Sequence, residues 1–261
     1  LHRVDRRQRQ MCIRDRLDTL KLDCYHEFEI YTKGKSRMIL APSKPLKLRQ
    51  RWILDEILNK LPTNQCCHGF VQQRSIKTNA EMHVNKTQVL CMDIHNFFPS
   101  ININQVFEVF HCVGYTSDVA QALAQLCTHN AILPQGAPAS PTLANIIFSP
   151  IDQQILKAIS TKEITYTRYA DDLIFSSSHE LDFLIPLVSE IISTNGFEIN
   201  SNKTHLMKNP YRKMITGLIV TDTVKIPKYY KRKFNQELFY CEKYGVAVSY
   251  THLTLPTIYS V

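Results

Sequence analysis

Apolar and polar residues alternate with a period of two along Ile164-Thr-Tyr-Thr-Arg-Tyr-Ala-Asp-Asp-Leu-Ile-Phe-Ser177, which predicts a β-hairpin presenting Tyr169-Ala170-Asp171-Asp172 at its tip. Glu27–Ile30 has the same character on a smaller scale. Tyr31–Pro42 reads as strand, glycine turn and strand, stopped at Pro42. Thr87–Ile94 is a buried-looking strand, and Lys213–Val220 with Val224–Ile226 suggests a second hairpin. Helical spacing predicts a helix over Pro45–Leu61, ended by Pro62. Its apolar positions include Leu48, Trp52 and Ile53, so Trp52 is expected in the core rather than stacked on a base. Two short helices follow over 103–114 and 117–129, the second capped by Ser117. Thr142–Phe148 and Ile151–Ile159 read as helices broken or kinked at Pro150. Leu181–Thr194 is a further helix, closed by Gly196 and with a kink expected at Pro186. Arg74–His83 is polar with little periodicity, and Asn200–Thr204 reads as a polar loop.

Size and composition limit the classes available. With 261 residues, 44% of them hydrophobic, the chain buries a sizeable core in one large or two modest domains. No apolar run approaches the roughly 20 residues that span a bilayer, and no charged-then-apolar leader opens the sequence, so a soluble cytoplasmic protein without a membrane partner is expected. The eight cysteines are scattered and form no C-x-x-C pair, which fits reduced thiols. Cys66-Cys67-His68 lacks the ligand spacing of a zinc site, and no second pair follows it.

Net charge +8 points to a polyanionic partner, but residues 1–16 alone carry six arginines against Asp5 and Asp15. At the other end, 249–261 has no charged side chain and no period. Both ends read as translated adaptor sequence, so 1–16 and 249–261 are expected to be a non-native head and tail, with the native protein continuing beyond both junctions.

The candidate chemistry begins at the hairpin tip. Two like charges about 4 Å apart repel by roughly 4 kcal/mol at an effective dielectric near 20. A chain that sets Asp171 beside Asp172 between apolar strands is therefore expected to supply a divalent cation. Asp93 ends an apolar strand, where a carboxylate is costly to bury unless paired or metal-bound, and it is the natural third ligand. The segment Leu133–Pro141, rich in Gly and Pro, opens into a helix whose first N–H groups suit a phosphate. Lys33, Lys35 and Arg37 gather at the first glycine turn. Lys228-Tyr-Tyr-Lys-Arg-Lys-Phe234 interleaves cations with aromatics, as a nucleic-acid surface would.

Strand-end Asp93, the Gln135-Gly136 loop and the Tyr169–Asp172 hairpin, in that order, resemble the motifs of a reverse transcriptase. The resemblance runs over roughly residues 30–235. It is most similar to the bacterial retron type: Asn79-Ala80-Glu-Met-His83 resembles that type's N-A-x-x-H signature, and Ile215-Thr216-Gly217 its V-T-G, with isoleucine in place of valine.

The resemblance implies an α+β fold, a right-hand polymerase palm of antiparallel sheet with helices packed on one face, plus fingers and with the thumb mostly missing. It divides the chain into mainly fingers at 17–86, palm with interleaved fingers helices at 87–226 and the start of a thumb at 227–248. It makes Asp93, Asp171 and Asp172 catalytic, holding two Mg²⁺ (Mn²⁺ as substitute) with help from the Ile94 carbonyl. Lys203 corresponds to a lysine that protonates the departing pyrophosphate. Phe98 would exclude a ribose 2′-OH, while Gln135, Gly136, Arg37 and Lys35 would meet the incoming nucleotide. Tyr169, with Lys228, Lys231 and Arg232, would contact primer or template. The implied partners are a structured RNA template and primer, deoxynucleotides and an RNA–DNA hybrid, with an effector protein and a role in defence against phage by analogy. An intron-type or other defence-associated reverse transcriptase, and a catalytically inactive RNA-binding protein, are the alternatives.

Overall fold

A computed structural model describes residues 25–32, 35–208 and 213–245. The expected head and tail lie outside the described residues, as do Lys33 and the side chains of Lys35 and Arg37.

The centre is a four-stranded antiparallel sheet. β3 (Gln88–Asp93) lies between β5 (Asp172–Ser177) and β6 (His205–Met207), and β4 (Thr165–Tyr169) borders β5. Alternation decides which side chain meets which layer. Leu90, Met92, Ile94, Tyr166, Leu173 and Phe175 form one core with three helices. These are α3 (Ile103–Cys112), α5 (Ser140–Ile159) and α6 (Leu184–Thr194), which contribute Phe110, Phe148, Ile155 and Val188 among others. Each such side chain adds about 1.5–3 kcal/mol on burial.

The other face is only partly covered. Val89 and Ile174 pack there with Ala80 of α2 (Ile76–Glu81) and with Ile215, Leu218 and Val220. Those last three come from a three-stranded sheet of β7 (Lys213–Ile215), β8 (Leu218–Val220) and β9 (Val224–Lys225). A separate hairpin of β1 (Tyr25–Thr32) and β2 (Lys35–Pro42) precedes α1 (Lys44–Glu56), which contacts α4 (Ser117–Cys127). α7 (Lys228–Tyr244) comes last. Among the described residues no helix is long and apolar enough to cross a membrane.

Several expectations are corrected. Trp52 is 59% exposed and Leu48 61%, because α1 is seated by Leu46, Gln50 and Ile53 instead. Gln50 donates to the Leu126 carbonyl and to the Tyr25 hydroxyl, both at 2.8 Å, and these bonds fix the rotation of the helix. Arg74–His83 contains α2, started by a reciprocal Ser75–Thr78 capping box. α5 runs unbroken through Pro150, whose missing hydrogen bond is offset by burial of Phe148, Ile151 and Ile155 around it. Pro186 falls in the first turn of α6, where a proline needs no N–H partner. Thr116, not Ser117, holds the cap position of α4.

Candidate active site

β4 and β5 are joined by the two-residue turn Ala170-Asp171, closed by the pair Tyr169–Asp172. Hairpin turns of this length favour residues with positive φ, and Ala170 takes +56° although it is not glycine. On the far side of β5, Asp172 stands directly across from Asp93 in the β3 register. The Ile94 N–H donates to the Asp171 carbonyl at 3.0 Å, and the Asn200 N–H to the Asp93 carbonyl at 2.8 Å. The tip and the end of β3 are thus one hydrogen-bonded unit, with Asp93, Asp172 and Tyr169 on the incompletely covered face.

Arg168 points the opposite way and is fully buried. Its Nε and Nη2 donate to both oxygens of Asp152 on α5, at 2.8–3.2 Å, and Tyr166 donates its hydroxyl to Asp152 Oδ1 at 2.8 Å. Its Nη1 donates to Asn145 Oδ1 at 2.9 Å and to the Ala170 carbonyl at 3.2 Å. Asn145 passes the link to the Gly69 carbonyl at 2.8 Å. Burial works against the guanidinium charge, but Asp152 outweighs it and the Arg168 pKa moves up. The backbone of Arg168 is gripped as well, donating to the Cys66 carbonyl at 2.8 Å and accepting from the His68 N–H at 2.7 Å. A Cβ on Gly69 would lie 2.5 Å from the Ala170 nitrogen, so only glycine allows this approach to the turn. Cys66 and Cys67 are buried in this support, and burial pushes both thiols up.

Asp93 is 5% exposed, and Lys203 donates its ammonium to both carboxylate oxygens at 2.8 and 2.7 Å. Among the described residues no three acidic, histidine or cysteine side chains meet closely enough to hold an ion as they stand. Asp93 and Asp172 nevertheless share one face, with Asp171 in the adjoining turn; an all-carboxylate set suits a hard cation such as Mg²⁺, and Lys203 is a stand-in cation on Asp93.

The remaining predicted residues distribute as follows. The Gln135 carbonyl accepts from the Leu40 N–H at 2.9 Å, and Gly136 (φ +123°) leaves no room for a Cβ, which would fall 2.8 Å from Ile39 Cγ2. The loop is thereby fastened to β2 three residues beyond Arg37. Phe98 is half-buried, edge-on to Phe97 at 5.5 Å between ring centroids, and Phe97 is core. Lys228, Lys231 and Arg232 are exposed on α7.

The two signature triplets meet each other rather than the carboxylates. Asn79 Nδ2 lies 3.5 Å from Thr216 Oγ1, which in turn donates to the Ile76 carbonyl at 3.5 Å. Thr216 and Gly217 both have positive φ, +44° and +82°. His83 bridges Ser176 Oγ and Thr167 Oγ1, each at 2.7 Å, and burial lowers its pKa to about 3. Asp152, Asn145 and Gly69 escape prediction. Only Asp152 leaves a trace in the sequence, as an acid within an apolar helical run.

An antiparallel sheet with helices packed on one face and a carboxylate hairpin at the end of the opposite face is a polymerase palm. The chain belongs to the reverse transcriptase family: the sequence model described as "Reverse transcriptase (RNA-dependent DNA polymerase)" matches residues 21–229. Its relatives place it with the retron type. It is 37% identical over 220 residues to the Retron Ec86 reverse transcriptase of Escherichia coli, covering 78% of this chain and 68% of that one. It is 34% identical to the Retron Mx65 reverse transcriptase of Myxococcus xanthus, over 75% of this chain and 50% of that one. Thus the chain spans about two thirds of the first relative's length and half of the second's. In fold it is similar to a chain of telomerase from Candida albicans, solved with a fragment of telomeric RNA, at a TM-score of 0.55 and 11% identity over 85% of this chain and 51% of that one.

Proposed function

We propose that this protein is a retron-type RNA-directed DNA polymerase that extends a primer along a structured RNA with deoxynucleotides, through nucleotidyl transfer at Asp93, Asp171 and Asp172. One observation carries the reading: Asp93 lies across from Asp172 in the sheet while Asp171 is tied by its carbonyl to the Ile94 N–H. Three acids on one unit facing an anionic substrate serve no purpose in a pure binder.

Two bound Mg²⁺ ions would supply Lewis acidity, lowering the pKa of a primer hydroxyl and neutralising the leaving pyrophosphate. Asp93, Asp171 and Asp172 would hold them, with the Ile94 carbonyl assisting. Lys203 would deliver a proton to the pyrophosphate, and Phe98 would crowd a ribose 2′-OH and select deoxynucleotides. Gln135 and Gly136 would border the incoming nucleotide, with Arg37 and Lys35 on its phosphates. Tyr169 would lie by the primer end, and Lys228, Lys231 and Arg232 along the hybrid. The reading also divides the chain into fingers (17–86), palm (87–226) and the start of a thumb (227–248). A cytoplasmic location, a role in phage defence and an effector partner belong to the same proposal.

The test is incorporation of deoxynucleotides on primed RNA with Mg²⁺ by purified protein, against Asp171→Asn. Abolished synthesis in the variant is expected. Undiminished synthesis by Asp171→Asn overturns the assignment.

A further inference from the structure

α1 turns an unusual face to solvent. Its buried side is Leu46, Gln50 and Ile53, so the outward side at 3.6 residues per turn is Lys44, Lys47, Leu48, Arg51 and Trp52. All five are exposed, Leu48 at 61% and Trp52 at 59%. They fall into two parallel rows. Lys44, Lys47 and Arg51 follow one another at i, i+3 and i+7 along one edge, and Leu48 and Trp52 stand one turn apart along the other. From Lys44 to Leu54 the helix carries no acidic residue, and Lys44, Lys47 and Arg51 have no ion-pair partner among the described residues.

We infer that this face of α1 binds single-stranded RNA, with phosphates on the cationic row and a base stacked on Trp52. The inference rests on the proposed reading that the partner is RNA, and it adds a contact surface to the carboxylate site. The two-row layout favours a single strand, whose backbone lies to one side and whose unpaired bases lie to the other. A duplex hides its base faces and would leave Leu48 and Trp52 unmatched. An acidic protein segment would use the cations but gains nothing from a planar aromatic beside Arg51.

Trp52 is the single tryptophan of the sequence, so its emission reports this face alone. Titrating the protein with a short single-stranded RNA is expected to quench that emission, whereas duplex RNA of equal length leaves it unchanged. Trp52→Ala should weaken single-strand binding about 5- to 150-fold, the range for loss of one stacked base. Lys47→Gln with Arg51→Gln should lower the slope of log affinity against log salt by about 1.4, at roughly 0.7 per phosphate contact on a single strand. Asp171→Asn should keep the quench while losing synthesis, which separates the two readings. Emission unmoved by single-stranded RNA, or variants that bind as tightly as the parent, overturns the inference. So does emission already blue-shifted in the free protein together with a lower Tm for Trp52→Ala, which would assign the face to another protein segment.

Discussion

The ammonium of Lys203 lies 2.8 and 2.7 Å from the two carboxylate oxygens of Asp93. A divalent ion at Asp93 would meet both carboxylate oxygens already engaged by that ammonium, so the pair competes with metal. Lys203 is 42% exposed along its side chain, which limits the pair to about 1 kcal/mol. Lys203→Ala is therefore expected to bind Mn²⁺ about fivefold more tightly by electron paramagnetic resonance, yet to polymerise more slowly. Weaker Mn²⁺ binding in the variant would contradict this.

Arg168 and Asp152 form a fully buried pair beneath the turn. Removing one partner strands a charge, so Asp152→Ala should cost about 3–5 kcal/mol in denaturant unfolding. The double variant Arg168→Met/Asp152→Leu should recover most of that stability. It should not recover synthesis, because Asn145 and the Ala170 carbonyl both lose the Nη1 donor that holds the turn. Restored kcat in the double variant would show that the pair supports the fold alone.

Gly69 sits against the Tyr169-Ala170 backbone with no room for a methyl group. Gly69→Ala should push the turn away by a few tenths of an ångström or more. A displacement near 1 Å at a reacting centre costs on the order of 100-fold in rate. Steady-state kinetics should show kcat falling while the far-ultraviolet dichroism is kept; an unchanged kcat would mean the turn is not held from below.

His83 stays neutral because it is buried, its pKa lowered to about 3 from an ordinary 6.5. The unfolded chain takes up a proton on this ring below pH 6.5 and the folded chain does not until near pH 3, so stability falls as pH drops across that window. The total effect is on the order of 5 kcal/mol. Urea unfolding between pH 7 and 4 should show this slope, and His83→Gln should flatten it. An identical slope in the variant would place the proton elsewhere.

The central strand was readable as a short continuous apolar run because both of its faces are covered, Leu90 and Met92 packing on one side and Val89 on the other. The acidic residues could be picked out because charge at a strand end contradicts its surroundings. Spacing wrongly assigns Trp52 to the core, since a polar residue, Gln50, seats α1 through hydrogen bonds to Leu126 and Tyr25 that no periodicity encodes. α2 was missed because a helix of six residues is too short to display a period. The support under the turn was invisible for a different reason: Arg168, Asp152, Asn145 and Gly69 are brought together by the tertiary fold, and no local spacing marks them.

Thr216 adopts a left-handed backbone that its branched side chain disfavours, by roughly 1–2 kcal/mol. Glycine there would avoid the penalty but would lose the hydroxyl that reaches Asn79, 137 positions earlier. The two motifs therefore behave as halves of a lock, and grafting either one into a foreign scaffold without its mate should yield neither the bend nor the grip.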